Sequence, residues 1–127
     1  MKKPSPRPTA AELEILRVLW SHGPATVRDV HEALRERRVG YTTVLKLLQI
    51  MTEKGLVTRD ESERAHVYEA RAAQEQTERQ FVRDLVDRAF GGSPGRLVMQ
   101  ALSSRRATPE ELDRIRRLLD ELEGEGQ

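Results

Sequence analysis

The chain has 127 residues, 22 Lys+Arg against 21 Asp+Glu for a formal charge of +1, and no cysteine. That length suits one ordinary domain, or two small units that need help to bury their cores. The missing thiols exclude a disulfide framework, a thiolate metal cluster and a cysteine nucleophile, and they fit the reducing cytoplasm.

Met1 to Pro8 carries positive charge with no apolar segment behind it, so residues 1–8 read as a flexible arm and not as a signal peptide. The first helix opens at Thr9, whose hydroxyl can cap it while Glu12 reaches back to the cap amide. Leu13, Ile15, Leu16, Val18, Leu19 and Trp20 form its wide apolar stripe, which makes Trp20 a core residue, and Ser21 to Pro24 stops it. Thr26 and Asp29 repeat the capping pattern for a second helix bearing Val27, Val30 and Leu34, with Arg35 to Arg38 crowding its end. A third helix is predicted from Thr42 to Lys54, with Val44, Leu47, Leu48 and Met51 buried and Gly55 as a left-handed stop. Leu56 to Arg59 and Ala65 to Tyr68 read as strands around the polar tip Asp60 to Arg64. Two strands are marginal alone, so the hairpin must pack on the helices. Three helices followed by a hairpin, with a tight turn before the third helix, predict a winged helix-turn-helix domain over residues 9–71.

Residues 72–127 read as three further helices, so the fold class is mainly α with one small β-hairpin. Phe81, Leu85, Val86 and Phe90 mark the first of these, ended by Gly91-Gly92; Ser93-Pro94 starts the second, with Leu97, Val98, Ala101 and Leu102. Thr108 to Glu111 is a third capping box, opening a helix whose Leu112, Ile115, Leu119 and Leu122 alternate at steps of three and four, joined by Leu118. The tail from Glu123 is expected to fray. So short a region hides too little surface to stand alone, and a second copy of the chain is the simplest cover for its stripes. Phe81, Leu85, Phe90, Leu97, Leu112, Ile115, Leu119 and Leu122 are therefore the expected dimerisation residues. Folding back onto the front domain is the alternative. Charge follows the same division: 13 Lys/Arg against 10 Asp/Glu in residues 1–71, then 9 against 11.

Enzymatic templates are absent: there is no HExxH, phosphate loop or dinucleotide fingerprint. No cofactor is expected. His22, His31 and His66 fall on different elements, so no metal site is expected either. No apolar run nears the roughly 18 residues of a membrane span, which excludes direct membrane insertion. The informative element is the third helix. Thr42, Lys46, Gln49 and Glu53 follow steps of four, three and four, opposite the apolar stripe. In a helix-turn-helix the second helix of the motif enters the major groove and its N-terminal residues touch base edges. Tyr41, Thr42, Thr43, Lys46 and Gln49 are thus the candidate readers of double-stranded DNA: threonine can bond bases or phosphates, lysine suits guanine acceptors, and glutamine pairs with adenine. Arg59, Arg64 and His66 are candidate phosphate clamps on the hairpin, opposed there by Asp60, Glu61 and Glu63.

Leu13 to Trp20, then Gly40 to Leu48, Glu53 to Arg59, His66-Val67-Tyr68 and Phe90-Gly91-Gly92 together resemble the BlaI/MecI/CopY family of bacterial repressors, over nearly the whole chain. The resemblance implies an N-terminal winged helix, a C-terminal dimerisation region and binding to dyad operators with TACA/TGTA-like half-sites. It also implies release by metal sensing or by proteolysis. The copper-sensing branch uses a cysteine-rich motif that this chain lacks. In the β-lactam branch a membrane metalloprotease-type sensor, or a protease downstream of it, leads to cleavage of an Asn-Phe bond; Gln100-Ala101 stands at that position here and matches neither residue. The family's recognition helix is also more basic than this one.

These observations predict a cytoplasmic, homodimeric repressor of transcription that is not an enzyme. Two rival readings remain: a repressor that senses a small ligand, and a winged helix that binds protein and has no role on DNA.

Overall fold

The computed structural model describes residues 7–125, so the expected arm lies outside the described residues as far as residue 6; Pro8, its last residue, is buried. Helix α1 (Ala10–His22) starts at the predicted capping box: the Glu12 amide donates to Thr9 Oγ1 at 3.2 Å, and the Thr9 amide donates to the Glu12 carboxylate at 2.8 Å. Helix α2 (Val27–Ala33) uses the same device, with Thr26 and Asp29 joined by two bonds of 3.1 Å. The arginines expected at the end of α2 instead form a tight 3-10 turn, Arg35–Arg37, after which Arg38 adopts φ 56°. Leu34 stays buried through this turn while Arg35, Arg37 and Arg38 remain exposed.

Helix α3 (Tyr41–Lys54) begins one residue before the predicted Thr42, because Gly40 supplies the extended N-cap backbone. Its end follows expectation. Gly55 takes φ 81°, and the amides of Gly55 and Leu56 return to the carbonyls of Thr52 and Met51 at 3.1 and 2.9 Å, closing the helix.

Strands β1 (Val57–Asp60) and β2 (Val67–Ala70) pair antiparallel, with Val57 opposite Ala70 and Asp60 opposite Val67. The predicted strands began one and two residues too early. Packing sets the difference, since Val57 and Tyr68 must both face the core, where they are 2% and 1% exposed. A third backbone segment joins the hairpin. Ala25 and Tyr68 exchange bonds of 2.9 and 2.7 Å, tying the turn between α1 and α2 to β2.

Ile15, Leu16, Leu19, Val30, Val44, Leu48 and Met51 meet Val57 and Tyr68 in one core, each worth roughly 1.5–3 kcal/mol for a fully buried large side chain. Trp20 packs at its edge, half-buried, and its Nε1 donates to the Ala72 carbonyl at 2.9 Å.

Helix α4 (Gln74–Ala89) crosses from one compact unit to another: the first runs to Val82 and the second starts at Arg83. Composition placed the change at residue 72. The start of α4 stays with the first unit because Thr77 is buried there and Ala72 holds Trp20. In the second unit Gly91 and Gly92, at φ 58° and 80°, turn the chain into α5 (Pro94–Ser104), capped by Ser93. Helix α6 (Pro109–Glu125) opens with reciprocal bonds between Thr108 and Glu111 of 3.0 and 2.9 Å. It continues through Glu125, past the expected fraying point, because good helix formers outweigh the single Gly124. No residue of α5 or α6 is buried. No helix among the described residues is long and apolar enough to cross a membrane.

Candidate nucleic-acid interface

Helix α3 has two unlike faces. Val44, Leu48 and Met51 are fully buried, whereas Tyr41, Thr42, Thr43, Lys46, Gln49 and Glu53 are all exposed. The predicted polar stripe of Thr42, Lys46, Gln49 and Glu53 thus faces solvent along the whole helix. Leu47, expected in the core, is half-buried at its margin.

The angle at which α3 presents that face is held at its far end by an ion pair. Lys54 Nζ lies 2.8 and 3.0 Å from the two carboxylate oxygens of Glu12, which is 1% exposed. One carboxylate therefore caps α1 and anchors the last turn of α3. Burial pushes the Glu12 pKa up; the Lys54 ammonium and the amide and hydroxyl of Thr9 more than offset this, and the net displacement is downward. The near end is buttressed by His31 of α2, whose ring meets Tyr41 edge-on with centroids 5.7 Å apart.

Beside α3, the hairpin and the start of α2 enclose an open cleft of about 690 Å³, whose lining includes Arg28, Tyr41, Leu45, Arg64, His66 and Tyr68. The cleft gathers three of the predicted residues, Tyr41, Arg64 and His66, all of them exposed or at its rim. It also adds Arg28, which the sequence reading did not single out. The available signal was local: a cation in the first turn of a capped helix runs against the helix dipole. Arg59, by contrast, is bound to Glu61 at 2.7 Å. The acidic hairpin tip, noted as an opposing charge in the sequence, thus takes one candidate cation for itself. Asp60 turns its carboxylate to the Ser62 amide at 2.9 Å, a bond that lowers its pKa.

Among the described residues no three His, Asp or Glu side chains converge as a metal site. His22, His31 and His66 lie on α1, on α2 and in the hairpin connection.

The residues expected to pair two copies lie on α4, α5 and α6. Leu85, Leu119 and Leu122 are 49%, 51% and 54% exposed, and Phe81, Phe90, Leu97, Leu112 and Ile115 are half-buried. Val82, Val98, Met99, Leu102 and Leu118 extend the exposed apolar surface of these helices. Gln100 and Ala101 are both exposed in the middle of α5.

Three helices, a two-stranded wing bridged to the turn before α2, and a helical extension define a winged helix-turn-helix protein with a C-terminal helical region. Residues 8–121 match the penicillinase repressor family, and the chain belongs to that family of transcriptional regulators. The transcriptional regulator BlaI of Mycobacterium tuberculosis, found in two strains, is 36% identical over 114 residues, covering 88% of this chain and 82% of that protein. The solution structure of the DNA-binding domain of the repressor BlaI shares the fold at a TM-score of 0.51 and 24% identity, over 57% of this chain and 90% of that domain.

Proposed function

We propose that the protein is a homodimeric, sequence-specific repressor that lays two copies of α3 in successive major-groove faces of a pseudo-palindromic operator in the cytoplasm. The observation that carries this reading is the uninterrupted exposed polar face of α3, set beside a cation-lined cleft, in a chain of the penicillinase repressor family. Tyr41, Thr42, Thr43, Lys46 and Gln49 read base edges; Arg64 and His66 hold phosphates next to the groove, with Arg59 contributing less because of Glu61. The exposed apolar faces of α4 to α6 are covered by the same faces of a second copy, which sets the half-sites about one helical turn, or a multiple of it, apart. Cleavage between Gln100 and Ala101, by a protease answering to a membrane sensor, releases the operator by detaching α6 and its leucines from the rest of the chain.

The test is selection of bound fragments from genomic DNA. A shared dyad supports the reading, and bound fragments without one overturn it. On the selected site Lys46→Ala weakens binding by about 1–3 kcal/mol, with little change on unrelated duplex, if Lys46 reads a base. Unchanged affinity removes Lys46 from the interface.

A further inference from the structure

We infer that the cavity where the start of α4 meets α1 and the end of α3 binds a compact carboxylic acid, its carboxylate held by Arg71 and Thr77 and its apolar body lying against Leu16 and Leu56. The cavity measures about 270 Å³ and lies wholly within the first unit. It shares no lining residue with the cleft beside α3, so the inference does not depend on the duplex reading. Contacts distant in sequence build the place. The Arg71 amide donates to the Leu56 carbonyl at 3.0 Å, and Trp20 Nε1 donates to the Ala72 carbonyl at 2.9 Å, which together fix the segment before α4.

Three observations point to an occupant. The first is Thr77, which is only 7% exposed and lines the cavity. Its hydroxyl makes no hydrogen bond among the described residues, whereas that of Thr52 donates to the carbonyl four residues back at 2.7 Å. Buried polar groups are hydrogen-bonded as a rule. No fully enclosed side-chain nitrogen or oxygen among the described residues lacks a partner, so the Thr77 oxygen is open, and the cavity is where it opens.

The second observation is charge. Arg71 lines the cavity and makes no ion pair among the described residues. Its Nη1 lies 3.3 Å from where a Cβ on Gly55 would stand, so the guanidinium is seated against the wall. Although the chain has 21 Asp and Glu, none of the described ones lines this cavity. The third is the wall itself. The buried Pro8 and Leu16 and the half-buried Leu56 give an apolar surface, and Gln80 adds an amide that can donate and accept. A few convergent polar groups on an apolar wall are the usual form of a small-molecule site. A guanidinium takes a carboxylate through two parallel bonds, and a second acid group on the ligand would find no cation. The volume falls just under the roughly 300–1,000 Å³ of drug-sized sites, which keeps the occupant small.

The test is calorimetric titration of the full chain, without DNA, against isovalerate, hexanoate and octanoate. Saturable binding of at least one acid, one per chain, is expected, with melting temperature rising as that acid is added. The amide of the best-bound acid has the same body without the charge and should bind roughly tenfold more weakly, or worse. Arg71→Gln should cost a similar factor, with Arg71→Lys recovering part of it. Thr77→Val keeps the shape, removes the hydroxyl and should weaken binding about fivefold. Because Arg71 also sits favourably at the negative end of α3, its variant can lose stability by that route, and Thr77→Val then decides. No saturable binding of any of the three acids overturns the assignment, as does equal affinity in wild type, Arg71→Gln and Thr77→Val. Either result leaves duplex binding untouched, and a chain that fails to bind duplex still answers this titration.

Discussion

Twelve apolar side chains from Ile15 to Tyr68 are buried in the first unit, while α5 and α6 of the second bury none. The two regions are built from similar local devices. Each has a capping box, a glycine turn in the left-handed region and amphipathic helices. What separates them is whether the apolar faces find partners within one chain. In the first unit a hairpin closes over three helices. In the second, Leu118, Leu119 and Leu122 remain about half exposed, at 54%, 51% and 54%. Local signals therefore make helices in both, but the long-range burial of apolar side chains lies in the first.

That contrast can be broken most severely on the uncovered side. Leu119→Asp combined with Leu122→Asp places two charges on the apolar face of α6 without touching a buried residue of the single chain. The expected result is complete loss of self-association in sedimentation, with the spectrum and melting of the first unit retained. Intact self-association would show that the α6 face is not the covering surface. On the other side, Leu48 is fully buried, and Leu48→Ala should destabilise the first unit by about 2–5 kcal/mol in denaturant titration. A cost below 1 kcal/mol, on the order of a surface change, would mean that the core described here is wrong.

A smaller effect sharpens how the first unit holds α3. Glu12→Gln removes the charge that binds Lys54 and should cost about 1.5–3 kcal/mol at neutral pH, the range for a hydrogen bond to a charged group. The folded-state pKa of Glu12 lies below its ordinary value of 4.5, so the carboxylate's contribution is present above 4.5 and fades as pH falls through the lower folded value. Stability of the wild type and of Glu12→Gln should thus converge as pH drops below 4.5. A gap that stays constant with pH would rule out the ion pair as its source.

Much of this arrangement was readable in the sequence because it is written in local periodicity. Thr9 with Glu12, Thr26 with Asp29, and Thr108 with Glu111 are three-residue signals, and all three capping contacts form. The two faces of α3 follow from 3.6 residues per turn, and Lys46 and Gln49 are exposed as that period requires. Features that depend on distant partners were not readable. The Glu12–Lys54 pair joins residues 42 apart, and no pattern around either residue announces the other. The Ala25–Tyr68 bridge is a single residue on one side, too short to show alternation. The strand registers shifted for the same reason, because the positions of Val57 and Tyr68 are set by the core. The place of Arg28 needed the hairpin and α2 to be brought together in space.

The most direct test is the mass of the complex on a duplex carrying one selected dyad, measured by sedimentation or native mass spectrometry. The expected result is two chains per duplex, falling to weak binding of one when α6 carries the paired aspartates. A single wild-type chain bound with full affinity would contradict the account, because the α4 to α6 faces would then have no part in presenting α3.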